Sequence, residues 1–113
     1  MAFEKTATLK GSNDVYTLSP DLKKYTLRDN AFEELKTGNF QYNRTLTGDS
    51  SGNQEVKLKI VISDDLTKLK IATTTMNGLR AIPIYKGDGF KEICEKFEFI
   101  MQEFENQGIF LKK

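Results

Sequence analysis

The polar side chains that could bind a ligand fall into two groups in this chain of 113 residues. Thr75, Asn77 and Arg80 lie within six residues, so a hydroxyl, an amide and a guanidinium group could meet a small carboxylate ligand. Arg28 and Arg44 lie near aromatic segments and could line a pocket. Each group also has an ordinary structural explanation, because Asn-Gly is a turn signal and exposed arginines form surface ion pairs of little energetic weight.

Histidine is absent, and Cys94 is the only cysteine of the sequence. Without imidazole there is no Ser-His-Asp triad, no Cys-His pair and no imidazole metal site. Cys94 lies within an apolar stripe, which is typical of a small core residue and not of a nucleophile. We therefore predict no catalytic residue, no metal site and no cofactor, and the composition leans against an enzyme.

Two further features could attract anions. The segment Lys86-Gly87-Asp88-Gly89 precedes a helix, and helix N-termini can hold phosphate or carboxylate. It lacks the ending of a P-loop, and Asp88 would repel an anion, so a capped helix start is favoured. Four lysines on the outer face of a predicted hairpin could contact RNA, although a solvated sheet face without aromatic residues is favoured: Lys57, Lys59, Lys68 and Lys70.

Length and charge predict one domain over residues 1–113 with no general attraction for polyanions. Lys+Arg number 17 and Asp+Glu 16, which gives a formal net charge of +1. A nearly neutral chain has no overall electrostatic pull toward nucleic acid or membrane, so we expect neither DNA nor membrane as a partner. The single cysteine fits a reducing compartment, and the apolar runs are too short to span a bilayer. A cytoplasmic location is expected.

The clearest predicted element is a C-terminal helix from about Gly89 to Gln107. Its apolar residues recur at three- and four-residue steps within an arc of about 120°, which is typical of one buried stripe. Asp88 is a candidate N-cap and Gly108 a candidate C-terminal stop. The stripe consists of Phe90, Ile93, Cys94, Phe97, Ile100, Met101 and Phe104.

Phe99 does not belong to this stripe, since it lies about 160° from the centre of the stripe. A lone exposed phenylalanine is one explanation, a second layer of protein over the outer face is another, and contact with a partner chain is the third. We favour the second layer. The third explanation makes Phe99 a candidate interaction residue.

A hairpin is predicted in the middle of the chain, and its register follows from the sequence. Apolar residues alternate along "EVKLKIVISDDLTKLKIATTT". A loop of four residues, 64–67, would pair Ile62 with Leu69 and Ile60 with Ile71. A slip of one residue would place Ile60 opposite a lysine, so the register is strongly specified.

Shorter strands are predicted around these elements. Three short apolar segments are separated by turn signals and are predicted to be strands: Phe3 to Leu9, Val15 to Leu18 and Tyr25 to Leu27. "LRAIPIY" is predicted to be an edge strand, since its proline cannot donate to a central ladder. "IFLKK" either adds a final strand or docks without one.

The stretch "LRDNAFEELKTGNFQYNRTL" has two interpretations. A short helix over Ala31 to Lys36 would end before Gly38. Alternatively, a hairpin folds over residues 36–39, with Phe40, Tyr42 and Leu46 on one face. We favour the hairpin, because Gly-Asn readily supplies the positive φ of a tight turn and a six-residue helix is marginal alone.

This stretch, with "MAF" at the start and the aromatic C-terminal helix, resembles a small family from lactic-acid bacteria. The family is a domain of unknown function, and its label associates it with amino-acid metabolism. The resemblance implies an α+β fold in which antiparallel sheets pack around one long helix, which would give Phe99 its second layer. The family is also said to resemble S-adenosylmethionine decarboxylases, but the Glu-Ser cleavage bond of those enzymes is absent here, so their activity is not expected.

The resemblance implies an accessory role in amino-acid metabolism, with binding of a small amino-acid-derived ligand. Two alternatives remain open. The chain could be an interaction module that docks on a metabolic enzyme, or on a second copy of itself, through Phe99 or a sheet edge. It could also be a weak RNA binder that uses its lysine face.

Overall fold

The structure is a computed structural model, and it describes residues 4–9, 14–47, 55–85 and 90–112. The predicted α+β class is confirmed, since two antiparallel sheets pack with one long C-terminal helix. In chain order the elements are β1 (Thr6–Ala7), β2 (Tyr16–Leu18), α1 (Lys24–Asp29), β3 (Glu33–Glu34), β4 (Phe40–Thr47), β5 (Glu55–Ile62), β6 (Leu69–Thr74), α2 (Lys91–Asn106) and β7 (Phe110–Lys112).

The two sheets are joined near the start of the described chain. The larger sheet has the strand order β3-β4-β5-β6, and the smaller has the order β1-β2-β7. Glu4, just before β1, exchanges backbone hydrogen bonds of 3.3 and 2.8 Å with Leu69, the first residue of β6. One short segment therefore links the smaller sheet to an edge of the larger one.

The predicted hairpin register is confirmed. Ile62 pairs with Leu69 and Ile60 pairs with Ile71 in the antiparallel ladder of β5 and β6. All four side chains are buried. A shift of one residue would turn these apolar side chains outward, so burial fixes the register.

The long helix α2 is confirmed, and it begins at Lys91 in the described chain. The predicted cap at Asp88 and the segment 86–89 lie outside the described residues. The predicted stop is confirmed: Gly108 has φ 80° and follows the helix. The Ile109 N–H donates to the Phe104 carbonyl at 2.9 Å and the Gly108 N–H to the Glu105 carbonyl at 3.0 Å, a Schellman ending.

One hydrophobic core surrounds the buried stripe of α2, which packs against β4 of the larger sheet and β7 of the smaller one. Phe104 is central, because its ring centroid lies 5.4 Å from that of Phe32, 5.1 Å from Tyr42 and 5.9 Å from Phe110. A single helix face thus serves both sheets. The buried residues of α2 are Ile93, Phe97, Ile100, Met101 and Phe104.

The expected second layer over Phe99 is wrong. The Phe99 side chain is 67% exposed. Both sheets contact the helix along its continuous apolar stripe, and Phe99 points to the opposite side of the wheel. A second sheet does exist, but it shares the same stripe and leaves the outer face of the helix open.

The strand predicted over Tyr25 to Leu27 is also wrong, because these residues belong to helix α1. The helix is fixed at its C-terminal end. The Asn30 side-chain amide donates to the Thr26 carbonyl at 2.8 Å, and Ala31 adopts φ 70°. The Phe32 N–H then donates to the Leu27 carbonyl at 3.0 Å, and this local closure outweighs any strand preference.

The hairpin interpretation of the following stretch is confirmed, and the alternative helix over residues 31–36 is wrong. β3 and β4 pair antiparallel across a turn in which Gly38 has φ 93°. The Leu35 N–H donates to the Asn39 carbonyl at 2.8 Å, and the Gly38 N–H donates to the Leu35 carbonyl at 2.9 Å. The described chain therefore has a second helix, α1, but this helix ends at Asp29, before residues 31–36.

The remaining short segments agree in part. β2 and β7 form strands, as "VYTL" and the strand alternative for "IFLKK" predict. β1 is restricted to Thr6–Ala7, and residues 1–3 lie outside the described chain. The predicted edge strand "LRAIPIY" is wrong: Ala81 makes one isolated bridge to Thr74, after which Pro83 has no N–H to donate and Ile84 enters the core.

Phe104 and Phe99 form a matched pair for testing the core. Phe104→Ala removes a ring that joins three other rings, so we expect a loss of about 3–5 kcal/mol in the free energy of unfolding. Phe99→Ala removes an exposed ring from the same helix and should change the free energy of unfolding by less than about 0.5 kcal/mol. Urea unfolding of both variants measures this difference, and equal losses would contradict the packing described.

Gly38 and Gly78 form a second matched pair, since both have positive φ. A Cβ at Gly38 would lie 3.1 Å from the Cβ of Asp64, whereas a Cβ at Gly78 would meet nothing within 4 Å. We expect Gly78→Ala to cost about 1–2 kcal/mol from backbone strain alone, and Gly38→Ala to cost more. Thermal unfolding of both variants tests this order. A Gly38→Ala variant as stable as Gly78→Ala would contradict it.

Candidate functional site

A concave surface lies between strand β4 and helix α2, with a volume of about 760 Å³. We call it the β4–α2 groove. One wall is the end of β4, and the other is formed by the first ten residues of α2. The lining residues are Arg44, Thr45, Leu46, Thr47, Lys91, Glu92, Glu95, Lys96, Phe99 and Ile100.

Two residues singled out from the sequence, Arg44 and Phe99, meet in this groove. The side chain of Arg44 points to the same side of β4 as those of Tyr42 and Leu46. Those two side chains are buried, yet Arg44 is exposed. A guanidinium at an inward position cannot enter an apolar core without a partner. The sheet and the helix therefore separate at Arg44, and Phe99 flanks the opening from the other wall.

The groove carries charges of both signs. Arg44 and Lys91 contribute cations, and Glu92 and Glu95 contribute carboxylates. Among the described residues, Arg44 forms no ion pair. Such an arrangement can bind a ligand that is itself charged at both ends, with apolar contact at Phe99.

Lys96 closes one end of the groove by reaching from the helix to the strand. Its Nζ donates to the Thr47 carbonyl at 2.6 Å and to the Thr47 hydroxyl at 3.3 Å. The backbone of β4 at this point thus faces the groove and can accept a hydrogen bond from outside the sheet. The sequence pattern did not single out Lys91, Glu95 and Lys96 as site residues. Their helical spacing to Phe99 was a usable signal, but nothing in the sequence shows which strand they face.

Arg28 lies elsewhere, on α1. Its Nη2 donates to Glu34 Oε1 at 2.7 Å, and its guanidinium carbon lies 5.9 Å from the ring centroid of Phe40. The hydrogen bond from Arg28 lowers the pKa of the Glu34 carboxyl. Both side chains are about half exposed, so this is the surface ion pair of small energetic weight that sequence analysis gave as the alternative.

Thr75, Asn77 and Arg80 share one turn after β6. The Thr75 hydroxyl donates to Asn77 Oδ1 at 2.6 Å, and the Leu79 N–H donates to the same oxygen at 3.0 Å. The Thr75 N–H donates to the Arg80 carbonyl at 2.9 Å. These polar groups support the turn itself, and none of the three residues lines the β4–α2 groove. Ligand binding by this turn stays a prediction.

The lysine face has the predicted position. Lys57, Lys59 and Lys70 alternate with buried residues of β5 and β6 and point to the outer side of the larger sheet, and Lys68 is exposed just before β6. RNA binding by this face stays a prediction.

Cys94 and Tyr85 are held in protonated states on the other flank of α2. The Cys94 thiol donates to the Ile84 carbonyl at 3.2 Å, and burial raises the pKa of this thiol. The Tyr85 hydroxyl donates to Glu98 Oε2 at 2.6 Å, and burial followed by this hydrogen bond raises the pKa of Tyr85 far above its usual value. Neither group has the ionised form that a nucleophile needs at neutral pH.

Within residues 4–9, 14–47, 55–85 and 90–112, no three Cys, Asp or Glu side chains come close enough to hold a metal ion. In the same part of the chain, neither helix combines the length and the apolar character that a bilayer crossing requires.

The chain is similar to one known family and to one solved structure. A family model for DUF1831, described as "Putative amino acid metabolism", matches residues 1–111. The crystal structure of a DUF1831 family protein from Lactobacillus plantarum superposes with a TM-score of 0.89 at 36% sequence identity, covering 100% of this chain and 99% of that one. No curated protein matches the chain.

The Cys94 environment predicts low thiol reactivity. The raised pKa and the partial burial of Cys94 both limit attack by the thiolate, so we expect disulfide reagents at pH 7.5 to modify the folded protein slower than the urea-unfolded chain by roughly an order of magnitude or more. A stopped-flow assay with an aromatic disulfide reagent measures both rates. Equal rates would show that Cys94 is accessible and that its pKa is not raised in the folded protein.

Proposed function

The chain belongs to the DUF1831 family, and on that basis we propose that it has an accessory role in amino-acid metabolism and binds a small amino-acid-derived ligand in the β4–α2 groove. The observation that carries this proposal is the meeting of Arg44 with carboxylates and an exposed aromatic ring in one concave surface. The family description supports the metabolic context, and the groove supports binding.

The charges of the groove match a zwitterion. An amino acid carries a carboxylate and an ammonium group a few bonds apart. Arg44 offers the planar donor pair that suits a carboxylate, and Glu95 offers an acceptor for the ammonium group.

The size and apolar surface of the groove also suit a small ligand. Its volume of about 760 Å³ lies in the ordinary range of small-molecule sites. Phe99 is 67% exposed, whereas Ile100, the other apolar residue that the helix contributes to the lining, is buried. An apolar side chain of the ligand would cover Phe99 and remove its ring from water.

The proposed role of this groove is binding without catalysis. The groove lining contains arginine, lysines, glutamates, threonines and apolar residues, and none of its described members is a cysteine or a serine. Cys94 faces the other flank of α2. An accessory protein that holds or delivers a ligand needs affinity and no activated nucleophile.

A docking module remains the second candidate function, and Phe99 favours it too. An exposed aromatic ring beside charged residues is a common anchor of protein interfaces. In that case the ring would meet a side chain of a metabolic enzyme or of a second copy of the chain. The ligand screen below separates this candidate from the first, because a docking surface alone would not respond to free amino acids.

The ligand proposal is tested with two arginine variants. We expect at least one of the twenty amino acids to raise the melting temperature, since a ligand at about 100 times its Kd adds about 2.7 kcal/mol of stability. Arg44→Gln should weaken that ligand about tenfold or more, because it removes a charge-assisted hydrogen bond. Arg28→Gln, an exposed arginine outside the groove, is the matched control and should leave the shift unchanged.

Differential scanning fluorimetry followed by titration calorimetry measures the shift and the Kd. If no amino acid shifts the melting temperature, or if Arg28→Gln weakens binding as much as Arg44→Gln, the groove is not an amino-acid site.

A further inference from the structure

Strand β4 has an open edge along most of its length. It contains eight residues, and β5 pairs with all of them. On its other side, β3 pairs only with Phe40 and Gln41. In the described part of the chain, the rest of this edge, residues 43–47, has no strand beside it. An open edge presents unpaired N–H and C=O groups that another strand can use.

The hydrogen-bond pattern shows which residues present these groups. The Leu35 N–H donates to the Asn39 carbonyl, so Asn39 directs its backbone toward β3. Because backbone direction alternates along a strand, Gln41, Asn43, Thr45 and Thr47 share that direction, and the residues between them face β5. The Thr47 carbonyl, which accepts from Lys96, confirms this direction at the far end.

The open edge borders the β4–α2 groove. Thr45 and Thr47 line the groove from the strand, and Phe99 and Ile100 line it from the helix. A strand placed beside β4 would therefore have backbone partners at Asn43 and Thr45 on one side and the exposed Phe99 ring on the other. An extended peptide can pair with the β4 backbone at several residues and also contact Phe99, whereas a single amino acid has too few backbone groups to extend the sheet.

We propose that the ligand of the β4–α2 groove is an extended peptide that adds an antiparallel strand to the open edge of β4, with an acidic side chain opposite Arg44. This inference rests on the proposed function, because it names the ligand class of the same groove. Charge complementarity selects the acidic residue: Arg44 is the one charged side chain on this stretch of β4, and oppositely charged cross-strand neighbours stabilise a sheet.

Arg44 also fits a protective role, since inward-pointing charges on edge strands discourage pairing between copies of a chain. The two roles are compatible. If β4 paired with β4 of a second copy, an arginine or an apolar residue would lie opposite Arg44, which is unfavourable. A strand that places a carboxylate opposite Arg44 is favoured instead.

The probe is the pentapeptide acetyl-Thr-Val-Thr-Glu-Thr-amide, whose glutamate comes opposite Arg44 when its central threonine pairs with Thr45. We expect it to bind, and to shift the amide signals of Asn43, Thr45 and Phe99 in a ¹⁵N-labelled protein. The same peptide with lysine in place of glutamate should bind about tenfold more weakly. In the Arg44→Glu variant that preference should reverse.

Backbone methylation gives the decisive control. An N-methyl group on the central threonine of the peptide removes the N–H that faces β4, so binding should fall at least about tenfold. An N-methyl group on the glutamate, whose N–H faces away from β4, should change binding less than about threefold. This comparison uses the unmodified protein, so it does not depend on the folding of any variant.

A protein variant tests the same contact from the other side. Thr45→Pro removes the outward N–H of Thr45 and leaves the β4–β5 ladder intact, because that N–H does not face β5. Binding of the pentapeptide should be lost, and Thr45→Val should retain it.

The outcomes separate this inference from the proposed function. Binding of free amino acids without binding of the pentapeptide, or equal effects of the two N-methyl groups, overturns the strand addition and leaves the amino-acid groove in place. Binding of the pentapeptide with the N-methyl difference and without any response to free amino acids supports strand addition. Failure of both kinds of ligand overturns both proposals.

Discussion

The fold depends on one buried apolar stripe, the face of α2 that carries Phe97, Met101 and Phe104. Neither sheet could be stable without it: the smaller sheet has strands of only two or three residues, and the larger one turns most of its buried side chains to one face. Phe104 contacts aromatic rings that belong to both parts of the chain, Tyr42 from β4 and Phe110 from β7. Removing this shared surface would expose both sheets, so the sheets and the helix depend on one another.

The same constraint explains why there is a groove. A helix stripe of limited width holds two sheets only if both approach from the same side, which leaves the outer face of α2 uncovered. Where β4 extends beyond β3, it runs alongside that uncovered face, and Arg44 prevents the two surfaces from closing. The exposed Phe99 follows from this arrangement, since no element of the described chain can reach it without leaving the stripe.

Patterns that are long and periodic could be predicted from the sequence, and patterns that depend on a few capping contacts could not. The register of β5 with β6 follows from alternation, because a slip would bury lysine. Helix α1 has one buried residue, Leu27, and so lacks a periodic signal; it exists because Asn30 and Ala31 close its end. The expected cover over Phe99 was wrong for a different reason, since the family resemblance implies sheets around the helix but not which side of the helix they take.

Two residues of the candidate site, Arg44 and Phe99, could be singled out from the sequence, but their meeting in one groove could not. Arg44 stands out because it is a charged residue at a strand position where the alternation calls for an apolar one. Phe99 stands out because it is an apolar residue on the polar face of its helix. Each residue departs from the hydrophobic pattern of its own element. Sequence distance hides the fact that these two exceptions face each other. Arg28 and the turn around Asn77 were equally plausible in the sequence, yet their polar groups bond within their own neighbourhoods. Local structure does not readily explain why two residues that depart from their hydrophobic patterns lie in the same groove. For this reason a ligand is expected in the β4–α2 groove, and not at the turn or on the surface of helix α1.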